Sequence, residues 1–181
     1  MSTIKVDRIE PQDGLQTNAM GGIVQVVRVV HTAQTSSNST TYVSTGLQAS
    51  ITPRSASNKI MVSFEHSIYH VNEANTDLWS LHGIKIKRGT QTIYTPVTNS
   101  VGPYDFGIYD SDNTNQSQQY NRSRVEYLDS PATTGSITYS TEIAVYNNNS
   151  GTVYVNFSTS SLPYPTVVAP QSFMTLMEIT A

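Results

Sequence analysis

The feature that most constrains this chain is a two-residue alternation of side-chain character that recurs along most of its 181 residues. The clearest example is a strand pattern whose one face is formed by Ile60, Val62, Phe64, His66 and Ile68. Similar short patterns, separated by turn residues, recur between Ile23 and Ile179. About nine or ten short strands joined by turns are typical of a sandwich or barrel. The sequence therefore predicts an all-β fold, a jelly-roll-like antiparallel β-sandwich with a short N-terminal extended arm.

The N-terminal segment differs from the rest of the chain. Ile4 and Val6 alternate with charged residues in a short strand pattern, and turn-forming residues and a Gly21-Gly22 pair follow. We expect residues 1–21 to form a docking arm and linker, and residues 22–181 to form one β-sandwich domain. Such an arm cannot bury its apolar side chains alone, so it needs a partner surface. The predicted docking residues are Ile4, Val6 and Ile9.

Composition and charge exclude several classes of function. The formal net charge is −3 and only 13% of the residues are charged, so the sequence lacks the clustered cations of a nucleic-acid-binding protein. No apolar stretch is long enough to cross a bilayer, so membrane insertion is not expected. Cysteine is absent, which rules out disulfides and thiol chemistry.

Motifs that carry catalytic or cofactor chemistry are missing from the sequence. It contains neither a phosphate-binding glycine loop nor the Gly-x-Ser-x-Gly turn of serine hydrolases. Carboxylates such as Glu65 and Asp105 are interpreted as surface charges rather than as a glycosidase pair. We therefore expect a protein without catalytic residues and without a cofactor.

Two patterns resemble metal sites but are better explained otherwise. His66 and His70 lie four residues apart, which suits zinc on a helix, whereas their flanking pattern is that of a strand. The run from Asp110 opens like a calcium loop, but Asn115 and Asn121 stand where glycine and a bidentate glutamate are required. The histidines are interpreted as half-buried sheet residues, and no metal site is expected.

A long polar segment between residues 100 and 123 is predicted to be a loop, and loops of that length are usually functional or disordered. Aromatic and amide side chains provide flat contact surfaces together with hydrogen-bonding groups. Two interpretations stay open: the loop binds a sugar or another protein, or it packs on a neighbouring subunit. The candidate outward binding residues are Tyr104, Phe106, Tyr109, Asn113, Asn115 and Tyr120.

Several stretches resemble those of a group of virion proteins. Residues 2–9, Ser-Thr-Ile-Lys-Val-Asp-Arg-Ile, resemble the start of tail-fibre and virion structural proteins of marine phages and cyanophages. The body resembles the small globular domain of the same group in the order of its matching pieces, which are residues 22–27, 42–47, 51–60, 128–131 and 176–179.

This resemblance implies an external virion component without catalytic residues, homotrimeric, with the arm towards the particle. It leads us to expect a bacteriophage fibre or knob domain, made in the host cytoplasm and carried on the virion surface. Its expected partners are its own copies, other virion proteins of the tail, adaptor or capsid, and a host surface glycan. Two alternatives stay open: a decoration protein that stabilises the capsid, and a secreted lectin-like carbohydrate-binding protein.

Overall fold

The computed structural model describes residues 22–72, 78–97, 104, 106–110, 117–146, 151–158 and 170–180. All regular elements among these residues are strands, and none of the described residues forms a helix that could span a bilayer. The strands are β1 (Ile23–His31), β2 (Thr35–Ser37), β3 (Val43–Ile51), β4 (Lys59–Asn72), β5 (Leu78–Arg88), β6 (Gln91–Tyr94), β7 (Phe106–Asp110), β8 (Ser117–Asp129), β9 (Ile137–Tyr146), β10 (Gly151–Val155) and β11 (Ser172–Ile179).

The strands form two antiparallel sheets, which we call the β4 sheet and the β5 sheet. In the β4 sheet, β8 pairs with one edge of β4, while β11 and β10 pair with successive parts of its other edge. β1 extends the sheet beyond β11, and β2 extends it beyond β10. In the β5 sheet the order is β3-β9-β5, and β6 and β7 share the free edge of β5.

The order of these strands is that of a jelly roll. The β4 sheet runs β1-β11-β4-β8 and the β5 sheet runs β3-β9-β5-β6, so strands far apart in sequence become neighbours. The chain passes from one sheet to the other between β2 and β3, β3 and β4, β4 and β5, β7 and β8, β8 and β9, and β9 and β10. This is the double Greek-key arrangement of jelly-roll sandwiches. The predicted fold class is therefore confirmed.

The core lies between the two sheets and follows the alternation in the sequence. On β4 the side chains of Ile60, Val62, Phe64, His66 and Ile68 point inward and are at most 1% exposed. Ile84 and Ile86 on β5 and Tyr139 and Ile143 on β9 face them from the other sheet and are fully buried. Burial of one such apolar side chain contributes about 1.5–3 kcal/mol, which makes this layer the main source of stability.

The pairing of the strands differs from two local sequence patterns. The Asn- and Gly-rich run at residues 147–151 predicts a hairpin loop, whereas β10 pairs with β4 and β2 and not with β9. Alternation identifies Val153 and Val155 as inward-facing, but it carries no information about which sheet they join. Residues 71–79 are the one stretch whose sequence allows a helix, yet β4 continues to Asn72 and β5 begins at Leu78.

Glu178, near the end of β11, is a fully buried carboxylate held by three neighbouring segments. Its side-chain oxygens accept hydrogen bonds from Nδ2 of Asn58 at 2.6 Å, the backbone N–H of Arg54 at 2.7 Å and Nε2 of Gln25 at 2.6 Å. Burial alone would raise the pKa of Glu178, but these donors outweigh it and hold the pKa below its usual range. The carboxylate therefore fixes the turn before β4 and the start of β1 to the end of β11.

Asp129, at the end of β8, joins the two sheets in the same way. It accepts hydrogen bonds from the Arg88 guanidinium at 3.0 and 3.1 Å and from the Tyr139 hydroxyl at 2.8 Å. Burial raises the pKa of Tyr139, so its hydroxyl stays protonated and donates. Asp129 and Glu178, each with several donors, therefore hold strand ends together in this fold.

We predict that Glu178→Ala lowers the free energy of unfolding by about 3 kcal/mol, because it removes the acceptor shared by three donors, one of which is the buried amide of Asn58. The loss should persist at neutral pH and shrink only when the pH falls below the usual range for glutamate, because the pKa of Glu178 is lowered. Urea denaturation measures both effects. The matched control is Glu142→Ala, which breaks a surface ion pair with Lys87 and should cost less than about 1 kcal/mol. Equal losses in the two variants would contradict the role assigned to Glu178.

Candidate functional site

The predicted docking arm joins the sandwich at a defined end. Ile4, Val6 and Ile9 lie outside the described residues, but Gly22, where the described chain begins, is hydrogen-bonded to Thr180 through both its N–H and its carbonyl. The start of β1 pairs with the end of β11, which in turn pairs with Lys59 at the start of β4. We call this end of the sandwich the arm end.

The opposite end of the sandwich, the far end, is where several chain connections converge. Asn72 pairs there with both Ser117 and Gly151, and Leu78 pairs with Asp110. These residues flank the segments 73–77, 111–116 and 147–150. The 14 residues of β4, at about 3.3 Å each, separate the arm end from the far end by about 40 Å.

The segment predicted as a long loop contains two strands in the structure. β7 pairs with β5, and the first half of β8 pairs with the second half of β4, so pairing partners distant in sequence impose strand structure on a polar segment. Tyr104 is buried at 7% exposure, and Phe106 stacks on His82 with ring centroids 5.2 Å apart. These two aromatic residues therefore face the protein interior rather than an outward ligand.

The remaining candidate binding residues are distributed near the far end. Tyr109 pairs through its backbone with Trp79 on β5. Asn113 and Asn115 lie outside the described residues, in the segment between β7 and β8. Tyr120 on β8 is 54% exposed, the most accessible aromatic side chain among the described residues. A binding role for these residues stays a prediction.

Tyr120 belongs to an aromatic cluster on the outer face of the β4 sheet. Tyr69 pairs with Tyr120 and Tyr154 on its neighbouring strands and is only 7% exposed beneath them. Its ring lies 4.5 Å from Tyr120, 5.8 Å from Tyr154 and 4.3 Å from Phe157, where the two rings are stacked. Burial raises the pKa of Tyr69, and the neighbouring tyrosines raise it further. We call these four residues the aromatic cluster.

Phe157 lies on the face opposite to the one that period-two alternation along β10 indicates. Val153 and Val155 point into the core, and period two would place Phe157 beside them. Asn156, however, has a φ of 56°, in the left-handed region that asparagine tolerates better than most residues. Its side chain donates hydrogen bonds to the carbonyls of His31 and Ala33, which holds this conformation. The chain therefore turns after β10 and brings Phe157 to Tyr69.

A network of buried histidines lies in the half of the core near the far end. His66, His70 and His82 are each fully buried rather than half-buried as expected. Nε2 of His66 lies 2.9 Å from Oγ1 of Thr141, and Nε2 of His82 lies 3.0 Å from Oγ of Ser123. Both hydrogen bonds cross from one sheet to the other, so the histidines connect the two layers.

The buried histidines are neutral at neutral pH. Burial lowers the pKa of His66 and of His82 to about 3, with a smaller contribution from neighbouring histidines. Burial also lowers the pKa of His70 to about 4. Within the described ranges, no group of three or more His, Cys, Asp or Glu side chains is placed to hold a metal ion. In this structure the three histidines are packed in the core, and His66 and His82 each form a hydrogen bond across the sandwich.

The packing of His31 explains why residue 46, on β3, is a glycine. Gly46 on β3 has a φ of +81°, and a Cβ there would lie 2.9 Å from two atoms of the His31 ring. Both the conformation and the space favour glycine. The glycine at position 46 is therefore required by packing.

We predict that the protein loses stability as the pH falls from about 6.5 towards 4. Unfolded histidine takes up a proton near pH 6.5, whereas His66 and His82 remain neutral in the folded state down to about pH 3. Each such histidine then costs about 1.4 kcal/mol per pH unit within this window. His82→Gln should flatten the dependence by about that amount in urea denaturation at a series of pH values. Lys59→Gln, which also removes one potential positive charge, should leave the slope unchanged; an unchanged slope in His82→Gln would contradict the prediction.

Comparisons with known proteins concern the fold. No protein-family model matches the chain, and no curated protein matches it. Among solved structures it is similar to a crystal structure of the T13 viral particle of infectious bursal disease virus, with 13% identity, 86% of this chain and 37% of that chain covered, and a TM-score of 0.40. It is also similar to the VP2 subviral particle of that virus, with 13% identity, coverage of 86% and 39%, and a TM-score of 0.37. The chain spans less than half the length of these viral chains, and its function has to be argued from its own residues.

Proposed function

We propose that this chain is a non-enzymatic structural protein of a bacteriophage virion, an external fibre or knob domain attached to the particle by residues 1–21. The observation that supports this best is the separation of the two predicted contact regions. The arm joins the sandwich at Gly22, whereas the exposed Tyr120 lies about 33 Å away along β4, towards the other end. A domain built in this way connects a particle at one end to a contact surface at the other.

The interior of the sandwich favours binding over catalysis. The side chains best suited to acid–base chemistry at neutral pH, His66, His70 and His82, are fully buried between the sheets. Asp129 and Glu178 are also buried, and their oxygens are occupied by structural donors. The residues capable of acid–base chemistry therefore stabilise the fold, and the accessible surface remains available for contacts.

The aromatic cluster is the part of the surface that best suits an outward contact. Tyr120 exposes half of its surface and rests on Tyr69, which keeps its ring in place. A rigid aromatic ring with a hydroxyl group provides contact area at low entropic cost and suits a sugar ring or another protein. We propose that this cluster contacts a glycan of the host surface.

Association into a homotrimer is part of the proposal. Identical chains usually assemble with closed symmetry, and the low share of charged residues, 13%, leaves uncharged surface available for burial. Three arms acting together would give firm attachment even if each arm binds weakly. Imaging of intact particles distinguishes the forms of the proposal: density on the tail supports a fibre or knob, and density on the head supports capsid decoration.

We predict that deletion of residues 2–20 leaves a folded body that no longer joins the particle. In the full chain, Ile4→Asp together with Val6→Asp should have the same effect, because loss of about 1.5–3 kcal/mol per buried side chain weakens binding at least about tenfold each. Incorporation is measured as the amount of protein that copurifies with virions. Lys5→Asp, on the other face of the same strand pattern, is the control and should be incorporated normally. Normal incorporation of the truncated protein would show that attachment runs through the body.

We predict that Tyr120→Ala weakens adsorption of the purified protein to host cells by about tenfold, because stacking of one ring contributes on the order of 1 kcal/mol or more. Gln119→Ala changes an equally accessible neighbour on the same strand and should adsorb normally. Treatment of the cells with periodate, which destroys sugar rings, should abolish adsorption of the unaltered protein. Adsorption that survives periodate and the Tyr120 substitution would overturn the glycan proposal.

A further inference from the structure

The outer faces of the two sheets differ in character. The outer face of the β5 sheet is polar, and one row across it is formed by Gln48, Ser140 and Lys87. Ser50 and Thr138 are hydrogen-bonded there at 2.7 Å, and Lys87 pairs with Glu142 at 3.2 Å. Alternation of apolar inner and polar outer residues is what an antiparallel sheet facing water requires. This face therefore suits exposure to solvent.

The outer face of the β4 sheet carries a continuous apolar row. Strand register places one side chain from each of four strands side by side, namely Val26, Met177, Met61 and Leu128. Val26 is 55% exposed and Leu128 is 45% exposed. Ile23, 62% exposed, and its partner Ile179 extend the apolar surface towards the arm end. A contiguous exposed apolar surface of this kind on a soluble sandwich marks an interaction site.

The neighbouring row carries opposite charges at its two ends. Arg28 on β1, Thr175 on β11, Ser63 on β4 and Glu126 on β8 are aligned by register. The cation therefore lies at the β1 side of the face and the carboxylate at the β8 side. Glu126 is paired with Arg124 within its own chain, so if one copy places its β1 side against the β8 side of the next, Arg28 of one joins this pair on the other. Such head-to-tail contacts close into a ring when the rotation between copies closes.

The four-stranded part of the face lies nearest the arm end. Four strands spaced about 4.8 Å apart give a width of about 19 Å, and they lie side by side only along Lys59–Glu65 of β4, a length of about 23 Å. Their product is roughly 440 Å², about half of the roughly 800 Å² per partner of a standard protein interface.

We propose that copies of this chain associate through the half of the outer face of the β4 sheet nearest the arm end, where β1, β11, β4 and β8 lie side by side, with the β1 side of one copy against the β8 side of the next. The aromatic cluster, in the other half of the face, stays accessible. This inference rests on the proposed homotrimer and assigns its interface. Association buries the apolar row formed by Val26, Met177, Met61 and Leu128. It leaves the polar face of the β5 sheet in contact with solvent.

The first test measures the mass of the protein in solution by light scattering. The unaltered chain should have three times its mass of 19.9 kDa at micromolar concentration. Met61→Lys places a charge in the centre of the apolar row and should raise the dissociation concentration at least about tenfold. Gln48→Lys places the same charge on the polar face of the other sheet and should remain trimeric.

A charge exchange tests the arrangement of the copies. Arg28→Glu should weaken the trimer, because it sets two carboxylates against each other, and Glu126→Arg in the same chain should restore it. Circular dichroism checks that each variant remains an all-β fold. If the double variant regains the trimer stability of the unaltered chain, the β1 and β8 sides are in contact. If the double variant is weakened by the sum of the effects of the two single substitutions, that arrangement is wrong.

A labelling experiment does not depend on disruptive substitutions. The chain has no cysteine, so Leu128→Cys and Gln48→Cys each introduce a single thiol. In the native assembly, alkylation of the thiol at position 128 should be about tenfold slower than at position 48. A monomeric unaltered protein would contradict the trimer itself. A trimer in which Met61→Lys changes nothing and both thiols react equally fast would leave the trimer standing and overturn the assignment of its interface.

Discussion

The pairing of β4 along both of its edges is the constraint on which the rest of the structure depends. β8 follows one edge from Ile60 to Asn72, while β11 and β10 share the other edge. One strand thereby brings together segments from the middle and the end of the chain, and the inward alternation of β4 supplies one wall of the core. The two ends of this strand also define the arm end and the far end of the domain.

Buried polar groups hold the ends of the strands in place in this fold. Glu178 joins β11 to β1 and to the turn before β4, and Asp129 joins β8 to Arg88 and Tyr139 of the β5 sheet. A buried carboxylate without donors would be costly, so each of these groups requires several partners at once.

The histidine network has a cost that the rest of the core must offset. His66 and His82 each form one hydrogen bond across the sandwich, while Nδ1 of each has no hydrogen-bond partner among the described residues. An unsatisfied buried nitrogen is unfavourable, and protonation would be more so. The same residues therefore align the two sheets at neutral pH and make the domain sensitive to acid.

The sequence by itself determined the fold class and the inward faces of β4 and β5, and the division between an arm and a body stays a prediction. These follow from period-two patterns, because each local pattern agrees with a strand whose one face is buried. It also identified Tyr120 as a candidate contact residue, although it placed that residue in a loop. Local patterns could not show that β10 joins β4 or that a polar segment would form β7 and β8, because strand pairing is decided by partners far away in sequence.

Tertiary structure alone decided how the faces are used. Tyr104 and Phe106 were expected to point outward, and packing against the core buries or half-buries them. Phe157 reaches the aromatic cluster only because Asn156 adopts a positive φ. The apolar row from Val26 to Leu128 exists only in the register of four strands, since its members are separated by up to 151 positions along the chain (Val26 to Met177). Alternation determines which side a residue takes on its own strand; only the pairing of strands determines its neighbours on that side.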